Sequence, residues 1–377
     1  MKNGWQQATL KDLCVVDWGN TNLTKAAYVE NGEFLAVSAA GCDGRIGHKE
    51  HSKHTPVLSA IGAQCGKMFF PDEDFTAIKN TITLTPRDGK CTGRFLYYLF
   101  TFVDLPQRGA GQPFISKGDI QSFSVTFPPL PEQQRIVGIL DEVFEGIATA
   151  KANAEKNLQN SRALFDSHLQ SVFTQRCPGW VDTALGDVCG FVRGPFGGSL
   201  KKSIFVANGY AVYEQQHAIY DQFDNVRYFI NEAKFKEMKR FELLPNDLVM
   251  SCSGTMGRVA IVPKGIKRGI INQALLKLTP TAKISNTFLK SWMESEAFQD
   301  ALKEYSGGAA IQNVASVKIL KEIKVPLPSI KEQERVVNKL DALRKETQRL
   351  ESIYQQKLAA LEALKKSLLH QAFTGEL

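Results

Sequence analysis

Val125-Thr-Phe-Pro-Pro-Leu-Pro-Glu-Gln-Gln-Arg-Ile-Val-Gly-Ile-Leu-Asp141 recurs two hundred residues later as Val325-Pro-Leu-Pro-Ser-Ile-Lys-Glu-Gln-Glu-Arg-Val-Val-Asn-Lys-Leu-Asp341. Pro128, Glu132, Gln133, Arg135, Val137, Leu140 and Asp141 each meet an identical residue at that offset. The same offset holds at Ser167/Ser367, Leu169/Leu369, Phe173/Phe373 and Thr174/Thr374, and upstream at Gln112/Gln312 and Ser116/Ser316. A stretch that keeps its register over this distance behaves as a helix with a fixed face. The chain is internally duplicated, and that governs the rest of the reading. In each copy proline ends a strand, and Glu132 or Glu332 enriches a helix start, where the dipole favours acid.

Beyond each boundary the sequence predicts a long helix. In the second copy Val336, Leu340, Leu343, Thr347, Leu350, Tyr354, Leu361, Leu364 and Leu368 recur at three and four residues, a coiled-coil seam. Glu332 to Leu369 contains neither Gly nor Pro. The first copy is a weaker seam of Ile136, Leu140, Val143, Ile147, Ala150, Ala154, Leu158, Leu164 and Leu169, with Asn157, Ser161 and His168 near core positions. About 43 residues per helix would span roughly 64 Å. One seam needs a partner seam, and the other copy is the obvious one. An antiparallel pair would place two globular domains at opposite ends of a rod.

A second echo runs at another offset: Trp5, Leu10, Asp12 and Cys14 match Trp180, Leu185, Asp187 and Cys189. Between the echoes the register wanders, with Gly66-Lys67 resembling Gly257-Arg258 and Asn80 resembling Asn272. The expected organisation is globular 1–126, helical 127–175, globular 176–326 and helical 327–377, an α+β chain with a pseudo-twofold duplication. Asp247–Gly254 and Gly257–Pro263 read as two buried strands around a glycine turn; Phe95–Phe100 and Phe288–Met293 read as short buried helices.

Composition sets outer limits. The 377 residues are 43 % hydrophobic and 23 % charged, the proportions of a folded globular chain long enough for two or three domains. The longest largely apolar stretch, Phe95 to Val103, is far short of the roughly twenty residues that cross a bilayer. Met1-Lys2-Asn3-Gly4-Trp5-Gln6-Gln7 holds no apolar signal core. Seven cysteines, with no Cys-x-x-Cys pair, are reduced cytoplasmic usage and exclude the common zinc-ribbon spacings. The net charge of +7 divides as +1 over residues 1–130, −2 over 131–174, +6 over 175–330 and +2 over 331–377. The basic excess sits in the second globular segment. Lys201-Lys202, Lys234-x-Lys236-x-x-Lys239-Arg240 and Lys264-x-x-Lys267-Arg268 could neutralise phosphates there.

Catalytic patterns are sparse. Pro71-Asp72 followed by Asp88-Gly89-Lys90 fits the loose PD…(D/E)xK nuclease pattern, in which two carboxylates hold a metal, but the second copy lacks it. His48, His51 and His54, near Cys42, could suggest a metal site. A polar loop accounts for them more simply, and Arg45, Lys49, His51 and Lys53 would suit phosphate or base contacts. Phe127-Pro-Pro-Leu130 lacks the polar first residue of amino-methyltransferase motifs. No glycine-rich nucleotide cradle, P-loop or nucleophile elbow occurs. The chain is expected to catalyse nothing by itself.

The doubled Pro-rich boundary with Glu-Gln-x-Arg-(Ile/Val)-Val resembles the specificity subunit of type I restriction-modification systems (HsdS). So do the terminal Phe373-Thr-Gly-Glu-Leu377 and the tract Asp247-Leu-Val-Met-Ser-x-Ser-Gly-Thr-x-Gly-Arg-Val. The resemblance covers essentially the whole chain. It implies two target-recognition domains, each reading half of a split sequence on double-stranded DNA, separated by an antiparallel helix pair. It also implies docking of two methyltransferase (HsdM) subunits and of restriction (HsdR) subunits. S-adenosylmethionine, ATP and Mg would then belong to those partners, with no cofactor and no metal in this chain. Base-contact candidates follow from side-chain chemistry: Arg193, Lys201, Lys202, Gln215, Gln216, His217 and Tyr220 in the second domain, beside Arg45, Lys49, His51 and Lys53 in the first. Helix-pair or partner-docking candidates are Glu132, Gln133, Arg135 and Leu140, with Glu332, Gln333, Arg335, Leu340, Leu343, Leu350 and Leu361. The competing readings are a metal-dependent nuclease using Asp72, Asp88 and Lys90, and a coiled-coil scaffold that binds protein.

Overall fold

The computed structural model describes residues 4–176, 178–304 and 316–377, so Cys177 and Gln312 of the sequence comparison lie outside the described residues. The chain divides into two compact units, Met1–Lys156 with Tyr354–Leu377, and Asn157–Ile353. Each is an α+β unit built on the same plan.

In the first unit a four-stranded sheet runs in the order Cys14–Trp18, Thr81–Pro86, Val57–Ser59, Met68–Phe69. The second unit repeats it as Cys189–Arg193, Leu275–Pro280, Leu248–Ser251, Val259–Ile261. A further sheet accompanies each. In the first unit it is Gly41–Ile46, Phe34–Ser38 and Phe75–Ala77; in the second, Phe205–Val206, Tyr228–Ile230, Tyr210–Tyr213 and Gly269–Ile271. Short amphipathic helices, Gly93–Phe102 and Asn286–Glu294, bury Phe95 and Phe288 against the respective cores. Each is capped by a hydroxyl, Thr92 or Ser285, accepting from a backbone N–H three residues on.

The two sequence echoes meet in one structural device. Gln6–Thr9 pairs antiparallel with Ser124–Phe127, and Val181–Ala184 pairs with Lys324–Leu327. Each ribbon therefore ties the segment of one echo to the segment of the other, just before a long helix begins. A slip of one residue would turn every side chain of the ribbon over, which explains why both echoes hold their register. Glycine is demanded at equivalent places beside the central sheets. A Cβ on Gly19 would lie 2.7 Å from the Ile78 carbonyl oxygen, and one on Gly194 would lie 1.8 Å from that of Asn272.

The long helices are Leu130–Thr174 and Ile330–Thr374, 45 residues each. Within each unit their segments run antiparallel. In the first, Ile136 and Leu140 share a core with Leu369, Ala372 and Phe373; in the second, Leu169 and Phe173 share one with Val336, Val337 and Leu340. The seam departs from the spacing read in the sequence. Leu164 and Leu364 are 51 % and 45 % exposed, whereas Phe165 and Lys365 turn inward. Burial passes through Ala150, Ala154 and Leu158, and through Leu350, Tyr354 and Leu358, two consecutive four-residue steps in each copy. That extra step relaxes the supercoil and rotates the following turns onto a neighbouring face. Of the three polar residues near the first seam, Ser161 is buried and donates to the Asn157 carbonyl oxygen at 2.8 Å, while Asn157 and His168 are exposed.

Candidate nucleic-acid interface

Both helix starts are tied to the domain that precedes them by a fully buried glutamine. Gln133 Nε2 donates to the carbonyl oxygens of Lys90 and Pro128, both at 2.9 Å. Gln333 Nε2 donates to those of Lys283 (3.0 Å) and Pro328 (3.1 Å), and its Oε1 accepts from Ser285 N at 2.8 Å. Arg135 chelates Glu132 and also donates to the Leu377 carbonyl oxygen at 2.7 Å; Arg335 chelates Glu332 likewise. Leu140 and Leu340 are buried in the two cores, and Leu343, Leu350 and Leu361 are half-buried in the seam. These residues hold the chain's own architecture. Gln133 and Gln333 are fully buried within the chain, whereas Arg135 and Arg335 are exposed and Glu132 and Glu332 half-buried.

In the first domain most candidate cations already face acids. Arg45 makes a forked pair with Glu73 at 2.7 and 3.1 Å, and Lys49 reaches Asp74 at 2.5 Å. Asp74 also accepts from the Lys53 backbone, which leaves the Lys53 ammonium exposed and available. His51 is half-buried against the Phe75 ring, and burial lowers its pKa so that it is neutral near pH 7. His48 faces Glu50 and His54 stacks on Phe70, so the three histidines point to separate partners. Among the described residues no three His, Cys, Asp or Glu side chains gather around a possible metal position. Asp72 lines an open cleft of about 730 Å³ with His54, Phe70, Arg94 and Asp141, and neither Asp88 nor Lys90 is on its wall. The nuclease triad is not assembled there.

In the second domain the short helix Gln215–Tyr220 carries four of the candidates, with unequal outcomes. Tyr220 is 69 % exposed and Gln215 half-buried, while Gln216 is spent on the Asn225 carbonyl oxygen at 3.3 Å. His217 is fully buried: Nδ1 lies 2.9 Å from the Glu214 backbone and Nε2 lies 3.1 Å from the Asn225 oxygen. It therefore props the loop that follows and cannot read a base. Arg193 is half-buried and hydrogen-bonds the buried Cys252 thiol, whose pKa burial pushes up to about 12. Lys201 and Lys202 are exposed, with no carboxylate within 4.0 Å among the described residues.

The structure adds a surface that the sequence clusters only half revealed. Lys267 lies over the Phe229 ring at 4.3 Å, Arg227 over Tyr228 at 5.6 Å, and Tyr228 stacks on Phe205 at 4.6 Å. Arg268 and Lys239 flank the Tyr210–Phe235 stack from Phe235's side, at 5.0 and 5.2 Å. Tyr228 is exposed, Phe205, Tyr210 and Phe229 are half-buried and Phe235 is buried. Arg227 is paired with Glu214, and Lys239 and Arg268 with Glu242, while Lys267 has no carboxylate within 4.0 Å among the described residues and suits a phosphate. Lys239, Lys267 and Arg268 are legible in the basic runs; the rings beside Lys267 and Arg268 lie more than thirty residues away in sequence, whereas Arg227 and Lys239 meet rings one and four residues away.

Glu242 anchors this surface. Burial acts to raise its pKa, but hydrogen bonds from Lys239 and Arg268 hold it below the usual carboxylate value. Lys277 donates to the Glu242 backbone oxygen at 2.7 Å. A folded-state pKa below the unfolded one means stability that is complete above about pH 4.5 and is lost as pH falls through the folded value. Glu242→Gln should therefore cost about 2 kcal/mol at pH 7 and flatten the loss of stability between about pH 5 and 3. Urea unfolding of both chains across that range checks it, and parallel acid limbs would count against the anchor.

The chain belongs to the family of type I restriction modification DNA specificity domains, which it matches twice, over residues 2–159 and 178–362. It is 25 % identical over 288 residues to the type I restriction enzyme EcoBI specificity subunit of Escherichia coli. That alignment takes in 70 % of this chain and 60 % of the relative, less than two thirds of its length. With the MjaVIII specificity subunit of Methanocaldococcus jannaschii it shares 22 % identity over 372 residues, 92 % of this chain and 84 % of that one. Its fold resembles a chain solved in a study of complex assembly and conformational transition of a type I restriction-modification system, with TM-score 0.80, 19 % identity, and 100 % and 99 % of the two chains covered. The HsdS subunit of Thermoanaerobacter tengcongensis follows with TM-score 0.62, 18 % identity, and 100 % and 98 % covered. Among the described residues no helix is long and apolar enough to cross a membrane.

Proposed function

We propose that this chain is the DNA sequence-specificity subunit of a type I restriction-modification complex. Each globular domain reads one half of a bipartite target on double-stranded DNA, and the helix pair sets their spacing and docks two methyltransferase subunits. The chain is a non-catalytic recognition subunit. Methyl transfer from S-adenosylmethionine belongs to the methyltransferase partners, and ATP- and Mg-dependent cleavage to restriction subunits. The observation that supports this reading is the duplication itself: one ribbon, one sheet order and one glutamine-tied helix occur twice, with a family match in each copy. Such a plan presents two related but differently lined surfaces, as two unlike half-sites require.

The test is base-resolution methylation mapping of a genome in cells that express the neighbouring methyltransferase with or without this chain. A split motif should appear only with the chain, and exchanging residues 1–126 for those of a relative should change one half of it. An active methyltransferase that leaves the same pattern with and without the chain would sink the proposal.

A further inference from the structure

The duplication makes a comparison possible that neither helix offers alone. Lys151 pairs with Glu362 at 2.6 Å in the first unit, and Arg162 pairs with Glu351 at 3.1 Å in the second. At the two-hundred-residue offset, Lys151 is the counterpart of Glu351, and Arg162 the counterpart of Glu362. Both contacts of the first helix are thus basic, and both equivalent contacts of the second are acidic. A second pair of positions follows the same rule by other chemistry. Lys365 lies over the Phe144 ring at 5.2 Å, and Arg344 lies over the Phe165 ring at 4.6 Å. Phe144 corresponds to Arg344 and Phe165 to Lys365, so each contact joins a ring from the first helix to a cation from the second.

We infer that the two long helices carry a contact code that admits only unlike copies as partners. The alternative is pairing of like copies, from two chains, in the same register. A first helix on a first helix would set Lys151 against Arg162. A second on a second would set Glu351 against Glu362 and Arg344 against Lys365. Every cross-copy contact is complementary, and three of the four like-copy contacts oppose charges of one sign. Charges flanking a helical seam select partners in this way, by opposing the wrong pair as much as by attracting the right one. The seams themselves do not discriminate strongly, since both copies share the same buried positions, including the extra four-residue step. The consequence rests on the proposed function: an assembly that contains one of each helix contains one of each recognition domain, and its target has two unlike halves.

The full-length chain tests this without altering its composition. The exchange Lys151→Glu with Glu351→Lys leaves net charge unchanged, yet within one chain it sets an acid at position 151 against Glu362 and a base at position 351 against Arg162. Those are the charge contacts of the two like-copy pairings. Its thermal unfolding midpoint should fall by about 3 °C relative to the parent chain, and the difference should shrink in 1 M NaCl. Adding Arg162→Glu and Glu362→Arg restores complementarity with the signs reversed, and the fourfold variant should melt within about 1 °C of the parent. An exchange variant that melts with the parent overturns the inference. So does a fourfold variant no more stable than the exchange variant, because the charges would then act through something other than pairing. DNA plays no part in the measurement, so its failure leaves the recognition reading standing, and methylation mapping tests that separately.

Discussion

Phe373→Ala should remove about 3–5 kcal/mol from the unit holding the N-terminal domain, and Phe173→Ala a similar amount from the other. Phe373 lies in the last turn of its helix, and its ring meets Phe95 at 5.4 Å and Phe102 at 5.2 Å in the core of the first unit. Its counterpart Phe173 is 2 % exposed and meets Phe288 at 5.6 Å and Trp180 at 6.3 Å in the second. The C-terminal end of each long helix therefore completes the core of the unit opposite to the one in which that helix begins. A truncated ring leaves a cavity that the neighbouring aromatic rings, held by their own packing, cannot fill. Hydrogen exchange reads the result locally. Phe373→Ala should speed exchange on strand Thr81–Pro86 and spare Leu275–Pro280, and Phe173→Ala should do the reverse. Loss of protection on Leu275–Pro280 first in the Phe373 variant would contradict the assignment.

The same pair of residues shows what a single sequence reveals. Phe173 and Phe373 were visible as identical partners because helices keep their offset, and the strand-to-helix boundary was visible because proline cannot continue a ladder. The buried strands around Gly254 and Gly257, and the helices at Phe95 and Phe288, carried apolar runs of the right length. The double four-residue step is legible in the first copy as Ala150, Ala154 and Leu158; in the second copy the pattern passes over Leu358. The half-buried positions that follow are Phe165 and Lys365, and a lysine whose ammonium lies over Phe144 does not read as a seam residue. Leucine at 164 and 364 therefore drew the pattern to the wrong turn. His217 misled for a different reason: a histidine in a polar run reads as a contact residue until both ring nitrogens are found occupied by backbone. Arg45 and Lys49 suit phosphate or base contacts by side-chain chemistry, but their partners Glu73 and Asp74 lie 28 and 25 residues further along the chain. Pairings across a sheet do not appear as local patterns.

Those pairings decide which cations a polyanion can use. Removing Lys201, Lys202 and Lys267 together should weaken DNA binding far more than removing Arg45 and Lys49. An ammonium with no carboxylate beside it can release a condensed counterion at no internal cost, whereas Arg45 and Lys49 must first leave Glu73 and Asp74. Lys267 has the added support of the Phe229 ring, which fixes its position without neutralising it. Each phosphate contact contributes about 0.9 to the slope of log affinity against log salt, so the triple alanine variant should lower that slope by about 2.7. Carried from 1 M down to 0.15 M salt, that difference amounts to roughly 170-fold in affinity. The loss should be nearly the same on specific and unrelated duplexes, because phosphate contacts position the protein and base contacts select the sequence. Fluorescence anisotropy across a salt series, with the chain in complex with the methyltransferase proposed as its partner, measures both quantities. An unchanged slope would show that DNA passes elsewhere over the second domain. An affinity loss confined to one sequence would recast these lysines as readers of bases.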